Sequence, residues 1–196
     1  MVVAGLVGGG VVALTVRSED KARSELPPVP EHRLIRAEGQ GSLTTTTPTT
    51  ALMELWSSAQ WGDVPAILRL QDPVVRVTLG DSVIAGVYQH QRTRMVTRKP
   101  HVVNVNVRGT IATVRYRLEG EVKSALPQLA ILRRRGQSWF LRYDTFVEEA
   151  IPFWVIASRG AETRPSRADR VAGANVTASY RAQVGRLAPV PKAQKR

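Results

Sequence analysis

Cysteine is absent from this chain of 196 residues. That excludes a disulfide framework, a thiolate metal site, a cysteine nucleophile and a lipid-modified N-terminal cysteine. Histidine is scarce: His32, His90 and His101 are the full set, and their spacing fits no metal-ligand pattern. No metal and no cofactor is expected. Acidic side chains are also short, 16 against 28 lysines and arginines, for a net charge of +12. No internal repeat is visible, and no nucleic-acid reader motif accompanies the charge. The length suits one domain, large enough to bury a core without staples.

The distribution of charge says more than its total. Residues 17–40 are neutral, residues 41–158 carry +5 and residues 159–196 carry +7. A basic end of this kind favours anionic surfaces in general: nucleic acid, anionic lipid or an anionic polymer.

The opening run, "MVVAGLVGGGVVALTV", admits three readings. "GGGVVA" at residues 8–13 matches a dinucleotide fingerprint, with Glu31 about twenty residues on, but a Pro-rich charged segment follows where a second strand is required. A cleaved signal would need a basic leader and an Ala-x-Ala site, and neither is present. The remaining reading is a transmembrane anchor over residues 1–16, with the true start upstream. At about 1.5 Å per residue the run spans about 24 Å, short of the ~30 Å hydrocarbon core. Arg17, Lys21 and Arg23 argue for a cytoplasmic side under the positive-inside rule. The expectation still places the folded domain outside the cytoplasm, because the start looks incomplete. Residues 17–48 are charged, proline-broken and then threonine-rich, and read as a flexible linker. The domain is expected over 49–157, followed by a basic, mostly disordered tail over 158–196 in which "RADRVAGANVTASYRAQVGRL" has weak helical character.

Within the domain, Ala51, Leu52, Leu55, Trp56 and Ala59 form one helical face that ends at Gly62. Asp63 is placed to cap a second short helix, "VPAILRLQ". The next stretch, "DPVVRVTLGDSVIAGVYQHQ", has helical spacing at Val83, Ile84, Val87 and Tyr88 but is rich in β-branched residues. Two strands around Gly80-Asp81 are the preferred reading, with a helix as the alternative. "HVVNVNV", "TIATVRYRL", "PQLAILRR" and "SWFLRYDTFVEE" alternate and are joined by turns, predicting an antiparallel meander with one buried and one wet face. Trp139, Leu141 and Tyr143 are expected on one face of the last strand, and the arginines mainly on the wet face. "IPFWVIAS" would close the open end of the sheet. The fold class is therefore α+β: a curved antiparallel sheet wrapped around an N-terminal helix.

Gly62-Asp63, Asp72-Pro73-Val74 and Ala85-Gly86-Val87-Tyr88 together resemble the opening of a nuclear-transport-factor-two-like domain, in its polyketide-cyclase-like branch. The resemblance covers roughly residues 50–150. It implies a cystatin-like cone with a pocket at its wide end, in a superfamily that mixes isomerases, dehydratases and cyclases with non-catalytic binding modules. Gln89-His90-Gln91 departs from the catalytic branch, and no His–Asp pair has convincing spacing.

Candidate residues follow. Asp144 is a weak catalytic candidate; a surface ion pair with Arg142 or a cross-strand arginine is the plainer role. Trp56, Tyr88, Tyr116, Trp139 and Tyr143 are candidates to line a pocket, or else ordinary core. Arg133, Arg134 and Arg135 are candidates to touch a polyanion. His90 and His101 read as incidental. The leading expectation is a membrane-tethered binding or assembly domain without catalytic activity, taking a protein partner or a small apolar ligand, with homo-oligomerisation open. A small-molecule isomerase, cyclase or dehydratase is the first alternative. Polyanion binding through the basic tail is the second.

Overall fold

A computed structural model describes Ile35 and residues 43–120, 126–160 and 164–185. Among these residues, six helices and one four-stranded antiparallel sheet make up an α+β architecture. Among the described residues no helix is long and apolar enough to cross a membrane; the expected transmembrane anchor, residues 1–16, lies outside them. Most of the expected linker lies outside them as well.

Helix α1 (Pro48–Trp61) begins where sequence reasoning places it. The Thr47 side chain accepts from the Thr50 N–H at 3.1 Å, and Thr50 Oγ1 accepts in return from the Thr47 N–H at 3.2 Å. Two otherwise unpaired donors are satisfied at once. Gly62, at φ 70°, ends the helix in the left-handed region that glycine tolerates. Helix α2 (Val64–Leu70) is capped by Asp63, which accepts from the Ala66 N–H at 3.0 Å.

Residues 73–97 correct the expected strand pair. They form helices α3 (Pro73–Leu79) and α4 (Asp81–Thr97), with a turn at Gly80. Ile84, Val87, Tyr88, Gln91 and Met95 are buried along one face of α4. The helical spacing overrides the β-branched composition because that face has a core to meet. Gly86 costs a helix interior about 1 kcal/mol relative to alanine. Its place is set by packing: a Cβ there would lie 2.0 Å from Trp154 Nε1. The Ala85-Gly86-Val87-Tyr88 element is thus a helix face at a close crossing and closes no strand pair.

The sheet runs β1 (Pro100–Arg108), β2 (Ile111–Leu118), β3 (Gln128–Arg135) and β4 (Ser138–Asp144), adjacent in chain order. Pairing register divides its side chains between two faces. Val105, Val107, Ala112, Val114, Tyr116, Ala130, Leu132 and Leu141 share the inner face, which packs on α1. Trp56 meets Tyr116 edge-on, with ring centroids 6.1 Å apart. A register shift in β4, where Leu132 pairs with Leu141 but Ile131 pairs with Tyr143, inserts Arg142 as a bulge. Tyr143 is turned to the outer face and Asp144 to the inner one. That corrects the expectation that Tyr143 shares a face with Trp139 and Leu141.

β4 ends earlier than its sequence suggests. Residues Thr145–Ser158 form helix α5, with Asp144 as its N-cap. Helix α6 (Arg167–Gly185) packs on α5 and buries Tyr180 completely. The expectation of a mostly disordered tail from residue 158 is corrected for this helix. Its apolar residues are few and mostly small, which is why the sequence shows the helix only weakly.

Candidate functional site

The most unusual chemistry of the fold lies where β4 gives way to α5. Asp144, 2 % exposed, receives a hydrogen bond from the Tyr116 hydroxyl at 2.7 Å and one from the Phe146 N–H at 2.9 Å. Its own N–H donates to the Tyr180 hydroxyl at 2.9 Å. Burial pushes the Asp144 carboxyl up to about 7, against the lowering pull of those two hydrogen bonds. Burial likewise raises the hydroxyls of Tyr88, Tyr116 and Tyr180, and the nearby Asp144 charge adds to each shift. The group joins β2, β4 and α5 through one carboxylate and α6 through the main chain of the same residue. Asp144 is therefore no surface partner of Arg142, which correction follows from the bulge that separates their side chains.

Alongside it, the Glu148 carboxylate accepts from the Tyr143 hydroxyl and from the Arg181 guanidinium. The Tyr143 and Tyr180 rings stack with centroids 5.2 Å apart. These contacts fasten α6 to β4 and α5.

A second buried charge lies at the free edge of β4. Asp72 donates its N–H to the Leu141 carbonyl at 2.7 Å. Its Oδ1 accepts from the Val74 N–H, from Arg135 Nη2 at 3.2 Å and from Arg142 Nη1 at 3.4 Å. Asp72 Oδ2 and Arg142 Nε are buried without a partner. One carboxylate thus ties α3 to two strands. No spacing in the sequence announces a pair so far apart along the chain.

The pocket-lining candidates fill the core. Trp56, Tyr88, Tyr116, Trp139 and Tyr143 are each less than 8 % exposed. Two surface grooves are lined by other residues: one by Pro73, Arg76, Val77 and Asp81, the other by residues that include Leu43, Glu54, Arg69, Ser138 and Phe140. No group of three or more His, Asp or Glu side chains among the described residues is arranged to hold a metal.

Strand alternation turns Arg134 away from Arg133 and Arg135, and side-chain contacts separate those two. Arg133 pairs with Ile111 and Phe140 and faces outward. Arg134 lies over the Trp139 ring, 5.8 Å from its centroid, and Arg135 reaches Asp72. Arg133 instead joins residues that sequence reasoning did not single out. Across the outer face, Arg108, Ile111, Arg133 and Phe140 form one cross-strand row. Asn106, Thr113, Ile131 and Tyr143 form the next, then Asn104, Arg115 and Leu129, then His101 and Arg117. Arg108 and Arg115 are exposed, Arg117 and Arg133 half-buried, Ile131 and Tyr143 buried. The β1–β2 part of this face is the open part, while on β3 Ile131 is buried and Leu129 and Arg133 are half-buried. Asp144 is the one carboxylate in the four strands, and it points to the other face. The signal available in the sequence was the alternation of Arg115 and Arg117 with the apolar positions of β2.

No protein-family model matches the chain, and no curated protein matches it. Among solved structures it is similar to RPA3114, a SEC-C motif containing protein from Rhodopseudomonas palustris. The two are 17% identical, the match covers 52% of this chain and 79% of that one, and the TM-score is 0.37. A likeness so distant says nothing about function. The nuclear-transport-factor-two-like resemblance is corrected on these comparisons, none of which returns that family. The helical state of residues 81–97 also removes the strand pair on which it leaned.

Proposed function

We propose that this chain is a binding domain without catalytic activity, and that it takes an anionic polymer across the open β1–β2 part of its sheet, with Arg133 of β3 at its margin. One observation carries the reading: strand alternation gathers Arg108, Arg115 and Arg133 on one face of β1–β3, whose own strand residues include no carboxylate. Strands lie about 4.8 Å apart and side chains on one face repeat about every 6.8 Å along a strand. That grid is on the scale at which phosphate, sulfate or carboxylate groups recur along an extended polymer. The +7 carried by residues 159–196 adds long-range attraction. Asp144 is committed to Tyr116 and to the start of α5, which favours a structural role for it over general acid–base work.

The test is fluorescence anisotropy of a labelled single-stranded oligonucleotide, with polyphosphate as competitor, over a salt series. Replacing Arg115 and Arg133 by glutamine is expected to weaken binding and to flatten the salt slope by about 1 per arginine. A chain shortened after Gly185 is expected to keep that slope difference. Binding indifferent to both arginines, and lost on shortening, would sink the reading.

A further inference from the structure

β1 ends the sheet, and among the described residues β2 is the one strand paired with it. Its inner-face side chains outrun their cover. Val114 and Ala112 are fully buried, yet Val105 and Val107, their direct partners, are 38% and 49% exposed. Val103, at the register shift, is 51% exposed. Between His101 and Arg108 the strand carries no charge, and its proline is confined to the first residue. Edges are usually guarded by an inward charge, a lysine, a proline within the strand or a bulge; β1 has only the register shift at Val103, and the stretch from Asn104 to Val107 beyond it has none of the four. On the outer face, Arg108 lies on the strand itself and Arg115 and Arg117 on the strand beside it.

These two faces define a complementary strand. Its inner side chains would be apolar, to meet Val105 and Val107. Its outer side chains would be acidic, to meet Arg108 directly and Arg115 across two strand spacings, about 10 Å. A second copy of this chain fits less well, since it would bring another set of these arginines to a protein of net charge +12. We propose that the β1 edge takes up an extended segment of an acidic partner protein as a fifth strand, in which valine-like residues alternate with glutamate or aspartate. Main-chain hydrogen bonds supply the register, and the two faces supply the selectivity. The site differs from the polyanion face: it is the edge, and it demands apolar residues as well as charge.

The probe is a labelled nine-residue peptide alternating valine with glutamate, compared by anisotropy with one in which serine replaces each valine. The full chain is expected to bind the valine peptide at least about tenfold more tightly, the scale of covering two half-exposed valines. In the double variant Val105→Thr, Val107→Thr, which keeps size and strand propensity, the preference is expected to vanish while serine-peptide binding stays. Circular dichroism confirms that the variant folds. Equal binding of the two peptides would overturn the edge site and leave the polyanion face standing. A preference that survives in the double variant would overturn it too. So would a dimer, seen by sedimentation, that the double variant dissolves, since the occupant would then be a second copy.

Discussion

Asp144→Asn separates the charge of the buried carboxyl from its hydrogen bonding. The amide oxygen can accept from Tyr116 and from the Phe146 N–H as the carboxylate does, but it never ionises. In the folded protein the carboxyl titrates near 7, and in the unfolded chain near its ordinary 3.8. Between those values the native state holds a proton that the unfolded state has released. Stability contributed at this residue therefore falls as pH rises through that window, and is flat above it. About three pH units at about 1.36 kcal/mol each come to about 4 kcal/mol. The assay is urea unfolding of both proteins from about pH 4 to about pH 8, read as the difference in unfolding free energy. Other carboxylates cancel in that difference. The variant is expected to match the wild type near pH 4 and to exceed it by up to about 4 kcal/mol near pH 8. A difference that does not change with pH would refute burial as the dominant influence on Asp144.

Other perturbations have equally definite expectations. Gly86→Ala places a methyl group against the Trp154 ring and is expected to destabilise by about 1–3 kcal/mol in urea unfolding; Trp154→Ala in the same chain should recover much of the loss. Asp72→Ala leaves Arg142 buried without its counter-charge, at an expected cost of about 3–5 kcal/mol. Asp72→Ala combined with Arg142→Met should cost less than Asp72→Ala alone. Tyr180→Phe removes the acceptor of the Asp144 N–H and is expected to cost about 1–3 kcal/mol, with α6 amides exchanging faster than those of β2 and β3.

Elements with strong local signals were legible in the sequence. α1 has a threonine cap, an apolar face and a terminating glycine, and the strands show alternating apolar positions, most clearly in β2, where alternate residues are buried. Elements fixed by distant contacts were not. α4 reads as strand because its valines and isoleucine favour one, and Gly86 looks like a breaker until Trp154 is seen against it. α5 was hidden because Phe146 and Val147 continue the strand pattern, although Asp144 followed by Glu148 is a recognisable helix start. The register shift at Arg142 is invisible in composition, so the faces of Tyr143 and Asp144 were assigned wrongly. The arginine run at residues 133–135 drew attention because it is contiguous. The grid that gathers Arg108, Arg115 and Arg133 needs the pairing register, which one strand's sequence does not contain.

Backbone amide chemical shifts during a titration of the full chain with polyphosphate locate the bound polyanion directly. Perturbations are expected at Asn104, Asn106, Arg108, Thr113, Arg115 and Arg133, fading as salt is raised. Perturbations confined to residues beyond 159, with the sheet unmoved, would contradict binding across the sheet.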